Sequence, residues 1–188
     1  MLRIRANYGL HLRGRFRFLE TAKEADDVTD TRKPIHTGGC QCGAVRYALY
    51  AEPTHSAICH CRMCQKAFGS FFAPFASIPH SQFAWTRGQP AQFASSQLLQ
   101  RGFCSTCGTP LSCQTNGTGE ISLATGSFDH PEKLPPTFQA GTEGRMPWLS
   151  ELSALRGKTT EQLMPKDILD KLENRQHPDY DTPQWPEK

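Results

Sequence analysis

An all-β domain is the fold class that this sequence predicts. From His36 onward, short apolar runs alternate with Gly, Pro and Ser, and only two segments look helical. Seven of the eight cysteines fall into three tight groups spread over the chain, the pattern by which a small β domain clamps distant segments together.

The elements follow in order. Residues 44–50 alternate apolar with polar and read as a strand. Residues 62–68 read as a short helix behind the second cysteine group. Residues 71–78 are rich in Phe and interrupted by Pro74, which predicts an edge strand or a bulge. Residues 83–86 end at Arg87-Gly88, a turn. Residues 97–103 lead into the third cysteine group. Residues 111–114 and 121–124 form a hairpin across Asn116-Gly117. A second helix is expected from Pro165, at its first helical position, to about Glu173, with Ile168, Leu169 and Leu172 on one side. After Asn174 the polar, Pro-rich tail is expected to be loose. Three regions result: an N-terminal extension over 1–35 with little fixed structure, a zinc-binding domain over 36–155, and a tail over 156–188 with one short helix.

Length and charge narrow the function. A chain of 188 residues suits one domain with a real core. Its net charge of +3 comes from residues 1–35, which hold eight Lys/Arg and five Asp/Glu; residues 36–188 hold thirteen of each. That balance speaks against a phosphate-backbone partner, and no nucleic-acid partner is expected. Seven thiolates on two Zn2+ ions would shift the balance further, by about −3. Residues 1–19 contain five arginines and no acid, a composition shared by organelle transit peptides and by plain upstream extensions. The second is the simpler reading. No apolar signal segment or membrane span is apparent. Thiolate metal sites require reduced cysteine, so a reducing, cytoplasmic location is expected.

The cysteines carry the chemistry. Cys40 and Cys42 lie among Gly38, Gly39 and Gly43, which let the backbone bring both sulfurs to one ion. Cys104 and Cys107, followed by Gly108, form a zinc-knuckle turn. Two such pairs make a closed site of four thiolates. Cys59, Cys61 and Cys64 then remain as three ligands in one stretch, a candidate open site. Spacing alone leaves two matters open: the first pair can join two thiols of the middle group, and Cys113 or His60 can close the second site. An open three-thiolate site has a net charge of −1 with Zn2+. Such a centre is a weak activator of water and a better holder of a soft thiolate, which keeps its nucleophilicity when bound.

Gly38-Gly39-Cys40-x-Cys42-Gly43-x-Val45-x-Tyr47, Cys59-His60-Cys61-x-x-Cys64, Arg101-Gly102-Phe103-Cys104-x-x-Cys107-Gly108, Gly126-Ser127-Phe128-Asp129 and Arg145-x-Pro147-Trp148 follow one another in fixed order. Together, over about residues 36–150, they resemble the glutathione-dependent formaldehyde-activating enzyme family, which also includes centromere protein V. The resemblance implies a β-tent fold of twisted antiparallel sheets. It implies a structural zinc on Cys40, Cys42, Cys104 and Cys107 and a catalytic zinc on Cys59, Cys61 and Cys64. It implies a carbon–sulfur lyase that adds a small thiol such as glutathione to a small aldehyde such as formaldehyde, or releases it. Many members carry an aromatic or His-containing strand before the Arg-x-Pro-Trp motif; here that stretch is residues 139–143, without a His.

His60, between two of these thiols, is a candidate catalytic residue through a hydrogen bond to a bound thiol or proton transfer; a solvent-facing His is the alternative. Phe68, Phe71, Phe72, Phe75 and Phe83 read chiefly as core, and as pocket walls otherwise. Arg62 and Lys66 read as a solvated face, Trp148 as packing and Cys113 as a spare thiol. Two other classes compete with the enzyme. One is a non-catalytic zinc-stabilised binding module for protein or nucleic acid. The other is an iron–sulfur protein, disfavoured because no group has ferredoxin spacing.

Overall fold

The structure, a computed structural model, describes residues 31–185. The Arg-rich stretch and most of the N-terminal extension lie outside the described residues. Among the described residues, ten strands form two sheets. The small sheet has the order β1 (His36–Gly39), β2 (Arg46–Leu49), β5 (Phe83–Arg87), all antiparallel. The large sheet runs β10 (Phe138–Ala140), β3 (His55–Cys59), β4 (Ala73–Pro79), β9 (Glu120–Ala124), β8 (Pro110–Thr115), β7 (Leu99–Phe103), β6 (Ala91–Ala94). Only β10 is parallel, and it pairs with β3. Helix α1 (Arg62–Phe68) leaves the end of β3, and two single-turn helices, α2 (Thr160–Leu163) and α3 (Lys166–Leu169), follow near the C-terminus. The chain is all-β, as its alternation predicts. No helix among the described residues is long and apolar enough to cross a membrane.

Alternation explains where the core sits. Tyr47 and Leu49 project from one face of β2 and are fully buried with Ile78 of β4, Leu111 of β8 and Leu123 of β9. The two sheets meet through these residues. Phe83, Trp85 and Phe128 ring Tyr47 at 5.3–6.0 Å between centroids. The buried Tyr47 hydroxyl shares a 2.8 Å hydrogen bond with Ser127, which in turn donates to the Ala124 carbonyl.

Three expectations are corrected. The strand containing Pro74 is not at an edge: β4 lies between β3 and β9. Its ladder to β9 begins only at Phe75, so at Pro74 itself the strand has a partner on one side, and the missing N–H is tolerated. The second helix is split. Thr159 caps α2 in a reciprocal box with Gln162, and Pro165 becomes the N-cap of α3 rather than its first helical residue.

The tail after Asn174 is docked, not loose. The opposite face of β2 presents Arg46, which is 2 % exposed. Its guanidinium makes a two-pronged pair with Asp129, at 2.7 and 2.6 Å, and a second pair with Asp181 of the tail. His177 is buried beside it, and its backbone N–H donates to the Gln41 carbonyl. Arg87 reaches Thr182. Gly43, at φ 72°, lies against His177 and Trp185, where a side chain would collide with the tail. Composition hid this because the contacts join single residues that lie far apart in the chain.

Arg46→Met is expected to cost about 3 kcal/mol or more, because Asp129 is left buried and unpaired. Asp181→Asn should cost less than about 1 kcal/mol, since that side chain is half exposed and Arg46 keeps its pair with Asp129. Chemical denaturation measures both. Acid should also loosen the tail. Burial, then Arg46, holds His177 below its ordinary value; Arg87 lowers it further and Asp129 opposes. Such a group adds stability that is full above about pH 6.5 and declines as pH falls below it. Asp129 is also held low, because bonds from Arg46 and Thr37 outweigh its burial, so its share is lost only below about pH 4. Hydrogen exchange of residues 176–182 at pH 7 and pH 5 tests the first step.

Candidate metal centres

Two groups of thiols converge, and within each group all sulfurs lie within 4.8 Å of one another. The first joins Cys40 and Cys42, in the turn after β1, to Cys104 and Cys107, in the turn between β7 and β8. Cys40–Cys42 and Cys42–Cys104 sulfur separations are 3.6 and 3.8 Å. A tetrahedron with Zn–S bonds of about 2.3 Å has edges of about 3.8 Å, so the donor set fits a Zn2+ ion. The turns direct donors at the sulfurs: the Val45 N–H reaches Cys40 at 3.2 Å, and the Thr109 hydroxyl lies 3.1 Å from Cys107. Burial pushes the Cys40 thiol up to about 12. Burial acts the same way on Cys107, but the Thr109 hydroxyl and amide outweigh it and bring that thiol down to about 6.

The second group is Cys59, Cys61 and Cys64. Cys59 ends β3. Cys61 is the N-cap of α1, and its sulfur accepts from the Cys64 N–H at 3.5 Å. Cys64 stands in the first helical turn. Strand end, cap and first turn therefore place three sulfurs on one point. Gly69, in the left-handed conformation, ends the helix after seven residues. The trio is not electrically uniform. Burial drives the Cys59 thiol up to about 12. Cys61 is also raised by burial, yet the amide of Cys64 and the neighbouring thiols outweigh it, and its value falls below normal. Between these two, Cys61 is the thiol that ionises more readily.

Buried polar groups hold the trio in place. Gln65, 2 % exposed, donates to the carbonyls of His60, Phe71 and Gly144. Gly141, at φ 61°, sits with the backbone of Cys61 only 2.8 Å from where its Cβ would be, so the loop after β10 packs directly on the trio's backbone. Phe75 and Phe68 pack against Cys64.

His60 is buried rather than facing solvent. Its ring is fully buried, Nε2 lies 2.8 Å from Gln139 Oε1, and Nδ1 has no hydrogen-bond partner. Neither His60 nor Cys113 belongs to the convergent group. Cys113 lies opposite Arg101 in the β7–β8 ladder and packs beside the trio. Arg62 and Lys66 are exposed. The aromatic set divides: Phe83 joins the main core, Phe68 and Phe75 flank Cys64, and Phe71 meets Trp148 edge to face.

Sequence reading missed Gln65, Gln139 and the contact role of Arg101. Arg101 is 7 % exposed; Nη2 donates to Cys64 Sγ at 3.3 Å and Nε to Ser95. Burial disfavours its charge, but the bond to Cys64 and the nearby thiols Cys113 and Cys61 keep its value above normal. Its place in a motif beside Cys104 is legible, but its reach to a cysteine 37 residues away is not.

The family model for the glutathione-dependent formaldehyde-activating enzyme matches residues 35–143, more than half of the chain. The chain belongs to the glutathione-dependent formaldehyde-activating enzyme family. That match spans both thiol groups and the large sheet. An uncharacterized lyase of Schizosaccharomyces pombe is 31 % identical over 108 residues, covering 57 % of this chain and 77 % of that protein. A crystal structure of a Rhodobacter sphaeroides protein aligns with a TM-score of 0.44 at 22 % identity, covering 55 % of this chain and 99 % of that one.

Gln65→Ala would leave the buried His60 carbonyl and the partly buried carbonyls of Phe71 and Gly144 without this donor, and a loss of about 2 kcal/mol is expected. Zinc uptake by the variant should fall at the trio before it falls at the four-thiol group, as native mass spectrometry with competing chelator would resolve.

Proposed function

We propose that this chain is a zinc-dependent carbon–sulfur lyase in which Cys59, Cys61 and Cys64 hold the catalytic ion and Cys40, Cys42, Cys104 and Cys107 a structural one. The observation that carries this reading is the count of sulfurs: four in one group and three in the other, with Cys113 and His60 outside. Four thiols close a tetrahedron, whereas three leave one position for substrate. A Zn2+ ion on the trio would supply a position that keeps a substrate thiol ionised near neutral pH.

The chain's own residues account for the rest. Arg101, donating to Cys64, offsets part of the negative charge of three thiolates. Gln65 and the loop after β10 hold the cap and first turn of α1, and with them the directions of Cys61 and Cys64. His60 is held by Gln139 and acts as a positioning residue for the thiols on either side of it in the chain. In the forward direction the sulfur lone pair of a glutathione-type thiol forms the C–S bond to the carbonyl carbon of formaldehyde or another small aldehyde. The C=O π pair moves to oxygen, which takes up the proton the thiol gave up. The reverse direction breaks that bond. The relative named as a lyase and the family match support this reading. We place the activity in the domain over 36–155, in a reducing, cytoplasmic compartment, with no nucleic-acid partner.

Cys61→Ser separates the two metal roles. Metal analysis should fall from two zincs per chain to one, with little change in Tm, and glutathione-dependent consumption of formaldehyde should fall at least about a hundredfold. Cys40→Ser should instead unfold the domain. A Cys61→Ser protein that keeps two zincs and full activity would sink the assignment.

A further inference from the structure

The tail after Asn174 lies beyond the family match, yet it is fastened to the turn that carries two thiols of the four-thiol group. Cys40 and Cys104 are 2 % and 1 % exposed, whereas Cys42 and Cys107 are only half-buried. Two clefts open beside the half-buried pair. One, of about 560 Å³, lies between Cys42, Cys107 and residues 172–176. The other, of about 370 Å³, has Cys40 and Cys107 on one wall and residues 176–179 on another. Gln41, Cys107 and Gln176 border both clefts, so the tail runs along this corner of the group.

The ties of the tail bracket Cys42. On one side of it, the Gln41 carbonyl accepts the His177 N–H at 2.8 Å. On the other, the Gly43 carbonyl accepts from Arg87 at 3.1 Å, and the same guanidinium donates to the Thr182 hydroxyl at 3.2 Å. Gly43 itself sits against His177 and Trp185, whose ring centroids are 5.4 Å apart. Asp181 anchors the segment on the buried Arg46. Both chain neighbours of Cys42 are therefore held by the tail. Among the described residues, no chain neighbour of Cys104 or Cys107 has a hydrogen bond to it.

We propose that the tail is a strap that locks Cys42 onto the structural ion and so sets how fast that ion is lost. The proposal rests on the four-thiol half of the reading above and not on its lyase chemistry. An ion held by four thiolates is released by successive loss of ligands, and a half-buried sulfur is the one that a chelator, a proton or a competing thiol reaches first. Burial shields Cys40 and Cys104. Cys42 lacks that shield and is held instead through its backbone, by the bonds at Gln41 and Gly43. Once the strap leaves, both ties are gone and the turn is free to carry this sulfur off the ion. Opening a short surface segment costs less than unfolding the two sheets, so retention of the metal is set by a local step.

The test is pulsed alkylation of the zinc-loaded full chain with N-ethylmaleimide in the presence of a chelator, read cysteine by cysteine by mass spectrometry. The variant Asp181→Asn/Thr182→Val/Trp185→Ala changes tail residues only, none of them a metal ligand, and removes contacts with Arg46, Arg87 and His177. In initial rates, Cys42 should be labelled at least about tenfold faster than in the native chain, with zinc lost from the four-thiol group. Cys59, Cys61 and Cys64 should keep their native rates, which makes the trio an internal control for global unfolding. Unchanged labelling of Cys42, or an equal acceleration at all seven cysteines, would overturn the proposal. Zinc analysis before labelling keeps the two readings apart. A native chain without zinc on Cys40, Cys42, Cys104 and Cys107 fails the metal reading and the strap with it, whereas full zinc content with unchanged labelling of Cys42 fails the strap alone.

Discussion

Four sulfurs drawn to one point between two sheets set the terms for the rest of the molecule. Cys40 and Cys42 leave the small sheet, and Cys104 and Cys107 turn the large sheet back on itself. Like charges this close repel, and burial already drives Cys40 toward the neutral thiol. A cation held by the four sulfurs would resolve that conflict and turn the repulsion into a clamp. The apolar contacts of Tyr47, Leu49 and Leu123 lie beside this point and depend on the same juxtaposition of sheets. Arg46 adds a second clasp from the opposite face of β2, with Asp129 from the domain and Asp181 from the tail.

The trio is built on different terms. It draws on one segment, so it gains little as a clamp between distant parts of the chain. Strand end, helix cap and first turn bring its sulfurs together, and Gln65 and the loop at Gly141 keep them there. A site held by its surroundings can give up its fourth ligand without loss of the fold. The low value of Cys61 beside the high value of Cys59, and a guanidinium on Cys64, give the trio a graded charge of its own.

Spacing made much of this legible. Cys-x-Cys and Cys-x-x-Cys announce metal because so few residues separate the donors, and α1 falls where its position behind the second cysteine group places it. The alternation of residues 44–50 gave β2 its buried face. Pairing was another matter: spacing alone allowed the first pair of thiols to join the middle group, and the family motifs were needed to expect the arrangement seen in space. Pro74 misled because proline reports on one hydrogen bond, not on the position of a whole strand. The docked tail and Arg101 were hidden for a shared reason. The contacts of Arg101 with Cys64 and of Arg46 with Asp181 span 37 and 135 residues, and no local pattern encodes such a distance.

X-ray absorption at the zinc edge of the native protein tests the central claim most directly. The account predicts four sulfurs on one ion and three sulfurs with one exchangeable light atom on the other, an average of about 3.5 sulfurs per zinc. Adding a substrate thiol should raise the average to four. Four sulfurs per zinc before any thiol is added, or a count that thiol does not change, would contradict it.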